Sequence, residues 1–287
     1  MRIGFIGAGK VGFTLGKFFV EGGVPVTGYW SRQREHMQEA ALFTGTKQYD
    51  TLAALVNDSD ALFLTVTDGA ISAMFAQLCT ETTLSGKQIC HCSGAMTAGE
   101  AFPGLSELGA YGYSIHPLFP ISDPYRSWRE LTGAFFCLEG DEAHLAAWQE
   151  MLTALGAQAR RISGAEKARY HAACVFASNL VCALAAESTA LLERCGFSPE
   201  DARRALAPLM RSNLEHLLQD GPAAALTGPV ERGDAATVAK HLACLPNAQT
   251  RALYRTASRT LLAVAQEKHP ERDYRETRQV LWKQEMD

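Results

Sequence analysis

The chain has 287 residues, a formal net charge of −4 and eight cysteines that show no regular spacing. Its length allows one large or two modest domains with a packed core. The charge gives no basic surface for nucleic acid or an anionic membrane, and the cysteines form no disulfide framework. The N-terminus has no basic and apolar leader, so we expect a cytoplasmic protein without a nucleic-acid or membrane partner.

A glycine-rich turn follows the first predicted strand, Ile3–Ile6, and precedes an amphipathic helix over residues 11–21. This G-x-G-x-x-G pattern between a strand and a helix is typical of dinucleotide binding. The N–H groups and the dipole at the start of the helix favour phosphate. The predicted pyrophosphate contacts are Gly7, Ala8, Gly9, Lys10, Val11 and Gly12.

The second predicted strand, residues 24–30, ends in Trp30-Ser31-Arg32-Gln33-Arg34. Sites for NAD usually have a carboxylate here to bind the ribose 2′-hydroxyl, and this sequence has none. A hydroxyl at Ser31 and a guanidinium at Arg32 suit a 2′-phosphate, because the guanidinium binds phosphate oxygens in pairs. These residues favour NADP, the alternative being that Arg32 and Arg34 are solvated loop charges.

Val66 and Thr67 lie at the carboxyl end of the apolar strand predicted over residues 61–66. Ligands of open α/β sheets bind at the carboxyl ends of the strands, so both residues are predicted cofactor contacts. Capping of the next helix is the alternative function of Thr67 and Asp68.

Further strands are predicted over residues 88–92, 111–115, 135–138 and 158–162, with a helix over 142–155. Alternating strands and helices predict an α/β fold, with a Rossmann-type, doubly wound and largely parallel sheet. Cys90, His91 and Cys92 lie close together, but neighbours on a strand point to opposite faces and no second ligand pair follows. We therefore expect no metal site.

Ser93 and His116 each follow a predicted strand at the edge where a nicotinamide would lie. A hydroxyl and an imidazole there could polarise and protonate a substrate carbonyl. The alternative is a turn serine and a histidine held by backbone groups.

The strand pattern ends at Ser163, where Ser163-Gly164-Ala165-Glu166 matches a capping box. We therefore predict a Rossmann domain over residues 1–162 and an all-helical domain over residues 163–287. The first helix, residues 165–194, is apolar on nearly every face and is expected to be the buried spine of that domain. Lys167, His171 and Ser178 share one stripe of this helix.

Lys167 lies in the first turn of this helix, where the dipole disfavours a cation. If it faces a cleft, the dipole and partial burial lower its pKa, which suits a proton donor or an anchor for a substrate carboxylate. His171 is a second candidate catalytic residue, although a lone histidine on an apolar helix is often part of a core.

The remaining helices are predicted over residues 199–219, 235–245, 249–266 and 274–282. A turn-rich loop over residues 227–234 interrupts them, and Asp234 is expected to cap the helix that follows. Arg232 in this loop is a predicted clamp for an anionic substrate, with a solvated or domain-bridging arginine as the alternative. Asn179 is a predicted hydrogen-bonding partner of the substrate or of another helix.

Taken together, these motifs resemble the bacterial Rossmann-like NADP oxidoreductases with a C-terminal helical domain of unknown function, within the 6-phosphogluconate dehydrogenase-like group. The spacing from Ser93 to His116-Pro117 is also similar to that in prephenate dehydrogenases. Ketopantoate reductases have Lys-x-x-x-Asn on the first helix of the second domain, whereas here Lys167 is followed by His171. The resemblance implies a homodimer that pairs through the helical domain.

The sequence thus predicts hydride transfer between NADP(H) and a small substrate, a carboxylate-bearing carbonyl, imine or hydroxy compound. His116 is the expected general acid or base, Lys167 binds or polarises the substrate, and Ser93 and His171 orient it. The alternative is a sensor that binds NADP(H) and catalyses no reaction.

Overall fold

The computed structural model describes residues 1–283, so the end of the predicted helical domain, residues 284–287, lies outside the described residues. The chain divides into two compact units, the first over Met1–Ser178 and the second beginning at Asn179.

The first unit is organised around an eight-stranded sheet with the strand order β3-β2-β1-β4-β5-β6-β7-β8. Neighbouring strands are parallel except for β6 and β7, which are antiparallel. This topology confirms the predicted doubly wound, largely parallel sheet. The strands are β1 (Ile3–Ile6), β2 (Val26–Trp30), β3 (Lys47–Gln48), β4 (Ala61–Leu64), β5 (Gln88–His91), β6 (Tyr111–Pro117), β7 (Phe135–Gly140) and β8 (Gln158–Arg161).

Helices connect these strands and cover both faces of the sheet. They are α1 (Lys10–Glu21), α2 (Arg34–Thr44), α3 (Leu52–Asp58), α4 (Asp68–Glu81), α5 (Ala98–Ala101), α6 (Ser127–Glu130), α7 (Glu142–Ala154) and α8 (Lys167–Ala177), with 3₁₀ turns at Leu105–Leu108 and Gly164–Glu166.

Two apolar cores lie on the two faces of the sheet because successive strand residues point to opposite sides. Phe5 and Phe63 belong to one core, together with Trp148 of α7. Ile6 and Leu64 belong to the other. The strands are therefore buried on both faces, as their continuous apolar sequences predict.

The second unit is helical. Its helices are α9 (Asn179–Arg194), α10 (Pro199–Ala225), α11 (Pro229–Arg232), α12 (Ala235–Cys244), α13 (Ala248–Lys268) and α14 (Arg275–Trp282). The core of this unit comes from the last four helices, with Val238, Leu262 and Leu281 among its buried residues. Asp234 caps α12 as predicted, since its carboxylate accepts a hydrogen bond from the Thr237 amide at 2.9 Å.

The sequence-based prediction for residues 163–194 was wrong in two respects. The Ser163 side chain makes no capping hydrogen bond, because a 3₁₀ turn precedes α8. The helix is also interrupted at Ser178, whose backbone is not helical (φ −125°, ψ −75°) and whose hydroxyl donates to the Cys174 carbonyl at 2.7 Å. Such bonding to the preceding turn competes with the helical hydrogen bonds and bends helices.

The expected buried spine is likewise not observed. Within residues 1–283, α9 has no buried residue, and Ala202 is the single buried residue of α10. The reason is that α11 to α14 supply the core of the second unit. Residues 164–194 are long and apolar enough to cross a membrane, with a mean hydropathy of 1.6 over an 18-residue window, none of which is buried.

The second unit also begins later in the chain than the predicted boundary between residues 162 and 163. Residues 163–178 belong to the first unit by their contacts. The side chains of α8 explain this difference, because Lys167 and Tyr170 form hydrogen bonds with residues of β6.

Candidate functional site

The glycine loop between β1 and α1 forms a tight turn against the end of β4. Gly7 has a positive φ of 104°, which a residue with a side chain rarely adopts, and its amide donates to the Trp30 carbonyl at 2.8 Å. A β-carbon at Gly12 would collide with the Thr65 hydroxyl and lie 2.6 Å from the Gly7 carbonyl oxygen. Glycine at these positions permits the turn and the close packing of α1.

The N-terminus of α1 is open. Gly9 occupies the N-cap position, no side chain caps the helix, and both Gly9 and Lys10 are exposed. The first backbone N–H groups of a helix have no intrahelical acceptor, and the helix dipole places partial positive charge there. This arrangement fits the phosphates of a dinucleotide.

One cavity beside this loop is lined by Gly7, Trp30, Ser31, Arg32 and Val66, among others. The structure therefore brings the predicted 2′-phosphate residues next to the predicted pyrophosphate loop. The Ser31 hydroxyl accepts a hydrogen bond from the Gln33 amide at 3.3 Å, which leaves its own hydrogen to serve as a donor.

The two arginines of this segment differ in their contacts. Arg34 forms an exposed ion pair with Asp50 at 3.3 Å. Arg32 is exposed and lines the cavity. Arg32 is therefore the better candidate for phosphate binding.

Thr67 and Asp68 begin α4. Thr67 is the N-cap residue, but its side chain makes no capping hydrogen bond. The Asp68 carboxylate instead accepts a hydrogen bond from the Ser93 hydroxyl at 2.6 Å. Asp68 thus links the start of α4 to the turn that follows β5.

The side chain and the backbone carbonyl of Ser93 both hold this turn in place. Its hydroxyl donates to Asp68 and accepts from the Met96 amide at 3.2 Å. Its carbonyl oxygen accepts from the ammonium of Lys167 at 2.9 Å and from the Ser114 hydroxyl at 3.1 Å. Ser93 is 4% exposed, so its contacts in this structure are those of a turn residue.

Lys167 is buried inside the first unit, so the sequence-based condition that it face a cleft is not met there. It is 1% exposed, and its ammonium donates to the Ser93 carbonyl and, at 2.6 Å, to the Ser114 hydroxyl. These two partners belong to the turn after β5 and to β6, so the first turn of α8 lies beside both. Burial lowers the pKa of Lys167, while the thiol of Cys137 and the carboxylate of Glu139 act in the opposite direction.

His116 lies at the end of β6 and is half-buried. Its Nδ1 is 2.6 Å from the hydroxyl oxygen of Tyr170. Burial, followed by the positive charge of Lys167 and the proximity of His171, lowers the pKa of His116 to about 4, and Asp68 opposes this shift. The imidazole is therefore uncharged at neutral pH.

His171 lies beside His116. Their ring centroids are 6.3 Å apart and the rings are nearly perpendicular. A β-carbon at Gly94 would collide with the His171 ring and lie 3.0 Å from Nε2 of His116. The two imidazoles can approach this turn because residue 94 has no side chain.

Tyr170 is a site residue that the sequence reasoning did not select. Its ring meets the His116 ring edge to face, with centroids 5.6 Å apart. The signal that could have found it is its position three residues after Lys167, which places the two on one face of a helix.

Asn179 and Arg232 belong to the second unit. Asn179 is the first residue of α9, and Arg232 is an exposed residue at the end of α11. The loop predicted around Arg232 contains this single helical turn. Their binding of substrate stays a prediction.

Two family models match the chain. Residues 1–117 match the model of the Rossmann-like domain, and residues 134–261 match DUF2520, a domain of unknown function. The chain thus combines a Rossmann-like domain with a DUF2520 domain, which confirms the family resemblance seen in the sequence. No curated protein matches the chain.

Solved structures share the fold over nearly the whole chain. Protein TM1727 from Thermotoga maritima is 27% identical, with a TM-score of 0.73 and coverage of 93% of this chain and 99% of that chain. An imine reductase from Streptomyces aurantiacus is 20% identical, with a TM-score of 0.64 and coverage of 92% and 96%. An imine reductase from Myxococcus stipitatus in complex with NADP⁺ is 19% identical, with a TM-score of 0.58 and coverage of 93% of both chains.

Proposed function

We propose that the protein is an NADP-dependent oxidoreductase that transfers a hydride between NADP(H) and a small carbonyl, imine or hydroxy compound. One observation carries the proposal: the glycine turn, the open end of α1 and the cavity with Ser31 and Arg32 occur together. The likeness to a Myxococcus stipitatus imine reductase in complex with NADP⁺ supports it.

The residues of the glycine loop and of this cavity suit two charged parts of NADP(H), the pyrophosphate and the 2′-phosphate. Backbone N–H groups of the Gly7 to Gly12 loop would bind the pyrophosphate. The Arg32 guanidinium and the Ser31 hydroxyl would bind the 2′-phosphate. Val66 and Thr67 would contact the cofactor from the end of β4. When bound, the nicotinamide supplies or accepts the hydride.

His116 would act on the substrate. An uncharged imidazole has one N–H donor and one lone pair, so it can polarise a carbonyl during reduction or accept a proton during oxidation. His171 would orient the substrate beside it. Ser93 would contribute by fixing the turn, since its hydroxyl is bonded to Asp68 and Met96.

Lys167 would act through its charge. The buried ammonium lowers the pKa of His116 and thereby helps to keep that imidazole neutral. Its burial does not support direct contact with a substrate carboxylate. For a carboxylate-bearing substrate, we propose that Arg232 supplies the cation and that Asn179 adds a hydrogen bond.

We also propose that the protein is a homodimer that pairs through the helical domain. The support is a set of exposed apolar side chains on α9 and α10, a surface that is costly to leave in water. These side chains are Leu180, Val181, Leu184, Leu209, Met210, Leu214, Leu217 and Leu218.

The catalytic proposal predicts the result of replacing His116. We expect purified protein to oxidise NADPH with at least one small keto acid or imine, or to reduce NADP⁺ with at least one small hydroxy acid. His116→Ala should keep NADPH binding, followed by nicotinamide fluorescence, but reduce turnover by about 100-fold or more. His36→Ala, at an exposed position on α2, is the matched control and should change neither. Unchanged turnover in His116→Ala would remove the catalytic assignment.

A further inference from the structure

Three elements converge on the Nδ1 side of the His116 ring. In the antiparallel pair of β6 and β7, His116 lies directly opposite Cys137, so their side chains share one face of the sheet. Helix α8 places the Tyr170 hydroxyl on this side, 2.6 Å from Nδ1. The thiols of Cys137 and Cys174 lie near that hydroxyl and contribute to the raised pKa of Tyr170.

The chemistry of these groups determines the direction of the hydrogen bond. Burial raises the pKa of Tyr170, so the phenol keeps its proton. An imidazole lone pair accepts hydrogen bonds well, whereas a thiol sulfur accepts them weakly. The Cys174 thiol donates to the Tyr170 carbonyl at 3.3 Å. The phenol therefore donates to Nδ1 of His116, and the ring proton lies on Nε2.

The other ring nitrogen faces the turn after β5. Nε2 lies 3.0 Å from the point that a β-carbon at Gly94 would occupy, and the His171 ring lies beside the same point. The charged groups that act on His116 here are the Lys167 ammonium and the Asp68 carboxylate. Nδ1 is thus hydrogen-bonded to Tyr170, whereas Nε2 points toward His171.

We propose that Tyr170 is a positioning residue that holds His116 as the neutral tautomer with its proton on Nε2. The inference rests on the proposed function and deepens it: His116 would act as an uncharged hydrogen-bond donor to the substrate. Such a donor pairs with a carbonyl oxygen or a neutral imine nitrogen, each of which has a lone pair. It does not pair with an iminium nitrogen, which has none.

The test is the ¹⁵N spectrum of the ring nitrogens in histidine-labelled protein at neutral pH, without cofactor or substrate. The proposal predicts a protonated Nε2 and an unprotonated Nδ1 for His116. In Tyr170→Phe, the Nδ1 signal should shift downfield if the ring keeps its tautomer, because its hydrogen bond is lost. If the other tautomer becomes populated, Nδ1 should instead shift upfield and Nε2 downfield. A protonated Nδ1 in the unmodified protein would overturn the proposal, even if the variant did not fold.

A second histidine and tyrosine pair provides the matched control. In the helical unit, the Tyr254 hydroxyl lies 2.8 Å from Nδ1 of His241. Tyr254→Phe should move the His241 signals and leave those of His116 unchanged. Equal responses of His116 to both replacements would show a general structural effect and contradict the proposal. Because the spectrum requires no turnover, it can fail or succeed independently of the proposed reaction.

Discussion

Burial and the buried cation of Lys167 together keep two histidines near the ends of β5 and β6 uncharged. Burial is the largest cause that lowers the pKa of His91 and of His116 to about 4, and the charge of Lys167 is the next. His91 is completely buried, and its Nδ1 accepts a hydrogen bond from the Ser93 amide at 3.1 Å. Both imidazoles are therefore uncharged in the folded protein at neutral pH.

The stability of the protein should consequently decrease with acid. The unfolded chain binds protons at histidine near pH 6.5, whereas folded His91 does so only near pH 4. Between these values the unfolded state binds more protons, so the free energy of unfolding falls as the pH falls. The pKa shift of His91 corresponds to about 3 kcal/mol of unfolding free energy, which is lost as the pH falls from 6.5 to below 4. Urea denaturation at several pH values measures this slope.

His91→Gln separates this effect from general acid sensitivity. It should remove roughly half of the slope between pH 4 and 6.5, because His116 supplies a similar share. His36→Gln, at an exposed position, should leave the slope as it is. If His91→Gln and the unmodified protein had the same slope, the neutral buried state of His91 would be refuted.

At the scale of single residues, sequence reasoning succeeded where spacing along the chain determines the contact. The glycine loop and its neighbours Ser31 and Arg32 lie together because parallel strands end at one edge of the sheet. The burial of Lys167 could not be predicted, since it depends on where α8 packs. Its ammonium finds two oxygen partners inside the protein, which makes burial of the charge tolerable.

At the scale of elements, long periodic segments were predicted well and short or kinked ones were not. The strands of the first unit follow from apolar runs between turn residues, but β3 has only two residues and no pattern to detect. The interruption between α8 and α9 was missed because no glycine or proline marks it. It falls at Ser178, whose hydroxyl bonds to the Cys174 carbonyl of the preceding turn.

The helical unit shows why an apolar helix need not be buried within its own chain. Periodicity indicates only that a surface needs a partner, and the partner can be another element or another molecule. In this chain α11 to α14 form the core, whereas α9 and α10 keep apolar side chains exposed. The sequence-based prediction was therefore right about the apolar character of α9 and wrong about its burial.

At the scale of the whole molecule, the homodimer is the prediction to test. Stable dimers bury about 1,200 Å² or more, which a surface of several leucines can supply. Light scattering coupled to size exclusion should give twice the chain mass. Leu184→Arg should raise the dimer dissociation constant by about tenfold or more, because it places a charge in an apolar interface. Leu42→Arg, at an exposed position of α2, is the control and should have no effect.

Two results would contradict the dimer. One is a monomer at micromolar concentration with an unchanged fold. The other is a protein that dissolves only with detergent, since residues 164–194 also have the length and composition of a membrane span. In that case a lipid surface would cover α9.

The central claim is that the first unit binds NADP(H) through the glycine loop and that Arg32 binds the 2′-phosphate and so distinguishes NADPH from NADH. The most direct test is a fluorescence titration of NADPH and of NADH against the unmodified protein, Arg32→Ala and Arg34→Ala. We predict tighter binding of NADPH than of NADH, and a loss of about 10- to 100-fold for NADPH alone in Arg32→Ala. Arg34→Ala should bind both as before, because Arg34 is paired with Asp50. Equal losses for both nucleotides in Arg32→Ala, or no binding of NADPH by the unmodified protein, would contradict the claim.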